Sequence, residues 1–153
     1  MDARDKLIDT IQTKINKQQV VLEDMEDQHQ RDKKAQDKQY NDLEERFQLL
    51  RQMFERVYET ASYDLRQSDQ ENGEAFSSLT DTINIYLQTN ENRFMNKRSQ
   101  LDEKTEKQET LYNKQHRQAE DKLDELYTRR LSASHATEEE LEKKIKEEAA
   151  SEQ

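Results

Sequence analysis

The chain has 153 residues and a formal net charge of −10, with 39% of its residues charged and 30% hydrophobic. Such acidity disfavours nucleic acid and anionic membrane surfaces, which demand concentrated Lys and Arg, and the absence of Cys removes disulfide frameworks and thiolate metal sites. One Gly and no Pro argue against a fold with frequent tight turns; what remains is disorder or long helices, and periodicity decides between them.

From Ile8, apolar residues recur at alternate spacings of three and four: Ile8, Ile11, Ile15, Leu22 and Met25, with Gln18, His29, Asp32 and Gln36 at the polar positions of the same stripe. After a four-residue offset the stripe resumes at Tyr40, Leu43, Phe47, Leu50, Phe54, Val57, Ala61 and Leu65. This is a heptad seam with a stutter near Gln36, which locally unwinds a supercoil. Asp2 or Asp5 is placed to cap its start. Asn72-Gly73 is placed to end it, since Gly accepts the left-handed conformation that closes a helix.

The second seam runs Phe76, Leu79, Ile83, Leu87, Asn90, Phe94, Lys97, Leu101, Lys104, Gln108, Leu111, Gln115, Ala119, Leu123, Leu126 and Arg130. Folding the chain at Asn72-Gly73 sets Leu65 opposite Leu79, Ala61 opposite Ile83, Val57 opposite Leu87, Leu50 opposite Phe94, Leu43 opposite Leu101 and Met25 opposite Ala119. The same fold point brings His29, Asp32 and Gln36 to the region of Gln108, Tyr112 and His116. Apolar and polar stretches of two separate seams coincide under one fold point, which a disordered chain has no reason to arrange. The expectation is an all-α fold: a long antiparallel two-helix hairpin, coiled-coil-like, over 1–131 with its turn near 70–75, each arm about 90–100 Å at 1.5 Å per residue. Residues 132–153 are expected to form a flexible break, a short or frayed helix opened by a capping box at Thr137–Glu140, and a disordered tail from about Ala149.

Little in the sequence speaks for chemistry. His29 and His116 meet under the hairpin, with Asp32 and Glu120 a turn away; a metal site is one reading, but no Glu-x-x-His or His-Glu-x-x-His spacing is present. A polar layer that sets register accounts for the same residues. The many acidic pairs, such as Glu44-Glu45, lie on solvated faces without a pocket to shift their pKa values. No enzyme activity and no cofactor are expected. The amino-terminal stretch lacks an apolar signal region and no segment reaches the roughly 20 apolar residues that span a bilayer. Cytoplasmic synthesis without membrane insertion is expected, with leaderless co-export beside a partner compatible with it.

The most informative local feature is the apolar clustering near the turn. Leu49, Met53, Tyr58 and Tyr63 lie beside the seam formed by Phe47, Leu50, Phe54 and Val57, and on the other arm Ile85 and Tyr86 flank Ile83 and Leu87. That face is wider than a two-helix seam requires, and contiguous apolar surface marks an interaction site. The eleven residues Leu49, Leu50, Met53, Phe54, Val57, Tyr58, Phe76, Leu79, Ile83, Tyr86 and Leu87 are the expected partner-binding set. The central parts of the arms, near 26–39 and 103–116, are almost devoid of aliphatics and contribute little burial.

In the stretches Leu43-Glu44-Glu45-Arg46-Phe47, the aromatic run through Phe54 and Tyr58, and Leu123-Asp124-Glu125-Leu126-Tyr127-Thr128-Arg129-Arg130, the chain resembles the LXG-associated α-helical proteins. These are small helical proteins encoded beside LXG-type toxins in Gram-positive bacteria, and the likeness covers about residues 5–131. The resemblance implies an adaptor or chaperone that binds the helical amino-terminal domain of a toxin, together with a second small WXG-like helical protein, and targets the toxin to a type VII secretion system. The sequence departs from the WXG pattern in having Asn72-Gly73 and no Trp at the turn. It also lacks a carboxy-terminal Tyr-x-x-x-Asp/Glu signal; Tyr40 and Glu44 have that spacing only inside the first arm. Without such a partner, the composition suits a homodimer or a homo-oligomeric coiled-coil spacer or scaffold.

Overall fold

The computed structural model describes residues 2–68 and 71–151. They form three helices: α1 (Ala3–Arg66), α2 (Gly73–Ser134) and the short α3 (Glu138–Ser151). The two long helices pack against each other as an antiparallel hairpin. The chain divides into two compact units, one of Met1–Arg31 with Glu109–Gln153 and the other of Asp32–Gln108; they are called the terminal and the turn unit below.

Helix ends follow from identifiable caps. Asp2 Oδ1 accepts the Asp5 amide at 2.8 Å and so caps α1. The turn is built differently from the glycine closure expected of it. Gly73 does not adopt a positive φ; it opens α2. Asn72 carries the capping instead, its carbonyl accepting the Phe76 amide at 2.9 Å while its side-chain amide donates to the Leu65 carbonyl near the end of α1. One side chain thus adds a second donor to the Leu65 carbonyl, which also accepts the Ser68 amide at 3.3 Å, while its backbone starts the next helix. Residues 69 and 70, part of the expected turn at 70–75, lie outside the described residues.

In the terminal unit, Leu7, Ile11 and Ile15 of α1 pack with Leu126 and Ala133 of α2, Ala136 of the connection and Leu141 of α3, and Ile8, Leu123 and Tyr127 close the cluster. Ile11 and Ile15 are the largest fully buried side chains of the described residues, at 1% and 0% exposure. The break expected from 132 is correspondingly short. α2 continues to Ser134, and α3 begins with the reciprocal bonds of a capping box, Thr137 N to Glu140 Oε2 at 3.2 Å and Glu140 N to Thr137 Oγ1 at 3.4 Å.

α3 is neither frayed nor detached, and it continues past Ala149 to Ser151; residues 152 and 153 lie outside the described residues. The reason is that its Leu141 has a core to enter. Glu148 is also buried, held by Lys14 Nζ at 2.5 Å and Arg129 Nη1 at 2.8 Å. Arg4 adds a bond from its guanidinium to the Ala136 carbonyl at the connection. Desolvation alone would raise the Glu148 carboxyl; the hydrogen bonds and charges of Lys14 and Arg129 outweigh it and hold the group below the usual carboxylate range.

The turn unit has only α1 and α2. Its seam is built on stacked rings: Phe47 on Phe94 with centroids 4.5 Å apart, and Phe54 on Tyr86 at 5.5 Å. The expected pairing of Leu50 with Phe94 is therefore displaced by about one turn, and Val57, expected opposite Leu87, is exposed. An aromatic ring buries more area per seam position than Leu or Val, so Phe47 and Phe54 occupy the inner line. Asn90 is buried beside them and its amide reaches the Phe47 carbonyl at 3.3 Å.

Candidate functional site

The aliphatic-poor middle of the arms is the place to ask about imidazole chemistry, since His29 and His116 both fall in the terminal unit. The His29 ring stacks flat on Tyr112, with centroids 3.6 Å apart and planes 1° from parallel, and its Nε2 lies 3.5 Å from a Glu109 carboxylate oxygen. The His116 ring is tilted 37° to that of Tyr112, with centroids 5.3 Å apart. Its two nitrogens contact Glu26 at 3.0 Å and Glu120 at 3.4 Å. Tyr112 is thus in ring contact with both imidazoles, and burial with the neighbouring glutamates raises its phenol above the ordinary value. Among the described residues, no group of three or more His, Cys, Asp or Glu is arranged to hold a metal ion. Each imidazole instead has a carboxylate neighbour and a ring contact, as a polar layer that fixes register would have.

The turn unit carries the larger feature. A groove of about 500 Å³ runs between α1 and α2, with Phe47, Leu50, Phe54, Tyr86 and Phe94 among the apolar residues that line it. Helical spacing produces it: Phe47, Leu50 and Phe54 recur along one side of α1, and Tyr86, Asn90 and Phe94 along one side of α2. Ile85 of the groove lining is 63% accessible, and outside the lining Leu49 and Met53 on α1 are exposed too, at 60% and 58%.

Of the eleven residues expected to bind a partner, Leu49, Leu50, Met53, Val57 and Tyr86 are exposed. Phe54, Tyr58, Phe76, Leu79 and Leu87 are half-buried. Ile83 is buried in the hairpin, so it belongs to the seam and supports the face from beneath. The structure adds residues outside that set. Ile85 and Phe94 complete the groove, and Arg46, Arg93 and Lys97 stand along its margins. In the sequence, Arg93 and Lys97 are an i, i+4 pair flanking Phe94. With 39% of the chain charged, such a pair is indistinguishable from any other solvated face until the groove locates it.

The residues so assembled define a helical hairpin with a partly uncovered apolar face. No protein-family model matches the sequence, and no curated protein or solved structure is detectably similar to it. The resemblance to LXG-associated proteins rests on the residue pattern alone. No helix of the described residues is long and apolar enough to cross a membrane.

Proposed function

We propose that the protein is a non-catalytic helical adaptor whose turn unit packs its apolar face against the helices of a partner. The observation that carries the reading is the exposure of Leu49, Leu50, Met53 and Val57 on α1 and of Ile85 and Tyr86 on α2, within the turn unit of a strongly hydrophilic chain. Exposed apolar surface of that kind is retained where something covers it. The particular partner we propose is the helical amino-terminal domain of an LXG-type toxin, bound together with a second small WXG-like helical protein for delivery to a type VII secretion system. That choice follows the family resemblance.

Co-expression of the chain with an LXG-type domain and its WXG-like companion, followed by size exclusion, tests it. The expected outcome is one stoichiometric complex, which Leu49→Glu with Met53→Glu abolishes while leaving helicity intact. Persistence of that complex in the double variant would remove this face from the reading. The alternative function, a homo-oligomeric spacer or scaffold, covers the same apolar face with further copies. It requires a partner-free assembly whose mass is a whole multiple of the 18.4 kDa chain.

A further inference from the structure

The margins of the turn-unit groove carry one sign of charge. Arg46 stands on the α1 wall, Arg93 and Lys97 on the α2 wall, and all three are exposed. None of the three is engaged in an ion pair among the described residues. A shallower hollow continues from Leu43, Arg46 and Lys97 toward Leu101 and adds Lys104 against the single acid Asp42. In a chain of net charge −10, a basic margin on both sides of an apolar floor is the reverse of the average surface. Between Phe54 and Gln39 on α1 the two hollows extend over about 22 Å at 1.5 Å per residue, the length of roughly four helical turns.

The terminal unit holds an internal example of what such a surface accepts. α3 reads Glu-Glu-Glu-Leu-Glu-Lys-Lys-Ile-Lys-Glu-Glu-Ala-Ala-Ser, an acidic helix with Leu141 on its packed side. Its Glu148 is gripped between a lysine of α1, Lys14, and an arginine of α2, Arg129. The turn unit offers the same two-walled arrangement, a cation from α1 and cations from α2 beside an apolar seam, with no third helix of its own.

Resting on the adaptor reading, we propose that the groove binds one amphipathic α-helix of a different protein, with an aliphatic stripe on the floor and carboxylates on both flanks opposite Arg46, Arg93 and Lys97. Flanking charge of this kind selects the partner and its orientation more than it adds affinity. Three separated cations beside an apolar floor do not make a phosphate track, so a helix fits the groove better than a nucleic acid. A second copy fits less well than another protein, because bringing two chains of the same large negative charge together is opposed by their mutual repulsion.

Two synthetic helical peptides of about four turns test this on the full chain. They share one Leu/Ile stripe and carry either Glu or Lys at both flanks, and binding is read by fluorescence anisotropy at low and high salt. The Glu-flanked peptide is expected to bind about tenfold more tightly than the Lys-flanked one, against the bulk charge of the protein, with the difference shrinking in salt. Arg93→Glu with Lys97→Glu is expected to reverse that order at unchanged helicity, whereas Lys33→Glu with Lys34→Glu, an equal change of charge away from the groove, leaves it standing. Equal binding of the two peptides would overturn the charge assignment while leaving the adaptor face in place. Failure of both peptides to bind would overturn the groove as a helix site, and a dimer dispersed by Arg93→Glu with Lys97→Glu would show its occupant to be a second copy.

Discussion

Leu7, Ile11 and Ile15 lie in a core closed by α3, and water barely reaches them; Leu49, Leu50 and Met53, on the same helix, stay largely wet. The two stretches do not differ in hydrophobicity so much as in the number of helices around them. Two antiparallel helices cover only the inner line of each apolar stripe, and the flanks of the stripe need a further helix. The terminal unit receives that helix from its own chain and completes a three-helix core. The turn unit has the wide stripe without the third helix, and its deficit is the physical basis for expecting a partner there.

The largest expected effect sharpens this contrast. Ile15→Ala removes a side chain that is 0% exposed, and should destabilise the terminal unit by about 2–5 kcal/mol through lost burial and the cavity left behind. Urea denaturation followed by circular dichroism gives the change, and hydrogen exchange locates it, with amides of α3 expected to lose protection first. If α3 kept its protection, Leu141 and the Glu148 ion pairs would be holding the helix without the isoleucine core, and the contrast between the units would have to rest on charge.

Those ion pairs give the next effect. Glu148→Ala takes one carboxylate from Lys14 and Arg129, which keep Ser151 and Glu125 as neighbours and are partly exposed, so the cost should be about 1–3 kcal/mol rather than that of a fully buried pair. The same contact predicts acid sensitivity. The folded Glu148 is held below the usual carboxylate range. Its contribution is therefore complete above the unfolded carboxyl's titration, near pH 4.5, and is lost as the pH falls from there through the lower folded value. Unfolding free energies measured downward from pH 6 should fall more steeply for the natural chain than for Glu148→Gln, and parallel curves would refute the linkage.

Much of this architecture is written in the periodicity. The two seams, the near-absence of helix breakers and the single candidate turn were enough for the hairpin, because helix pairing depends on a repeat that each arm displays by itself. The Thr137–Glu140 capping box also pointed correctly to the start of α3. What was missed lay in tertiary choice. Leu141 and Ile145 mark a short helix but do not say what it packs on; the decisive partner of α3 is Ile11–Ile15, more than a hundred residues away in the chain. Likewise a heptad pattern does not say whether Phe47 or Leu50 takes the inner position against Phe94, since both lie within one turn of the same stripe. The basic margins of the groove were hidden for the same reason: Arg46 and Arg93 acquire a common role only when α1 and α2 are side by side.

A smaller effect has the opposite sign. Ser62 is buried in the turn unit, and its hydroxyl has no hydrogen-bond partner among the described residues. In the terminal unit the buried Gln18 is satisfied, donating to the Ala119 carbonyl at 2.9 Å. Ser62→Ala removes an unsatisfied group and improves helix propensity, and should stabilise the protein by about 1 kcal/mol. Gln18→Ala should do the reverse, removing the bond across the seam and the buried side chain that makes it. A destabilised Ser62→Ala, measured in the same urea series, would mean that the hydroxyl has a partner in solution, and the turn unit would be better satisfied than its seam suggests.

The smallest expected effect on stability is also the most discriminating. Met53 is 58% exposed on the face assigned to a partner, so Met53→Ala in the isolated chain should change stability by less than about 0.5 kcal/mol. Ala is at least as good a helix former as Met, so no local cost is added. If the isolated variant instead lost more than about 1 kcal/mol, Met53 would already be covered in the free protein. The two explanations then separate by mass action. Cover by a second copy makes the loss grow with protein concentration, because association contributes to the stability of the natural chain. Cover that arises within one chain leaves it independent of concentration. A neutral Met53→Ala that still weakens binding of the acidic helical peptide would show that the surface is kept apolar for its partner and contributes nothing to the fold that carries it.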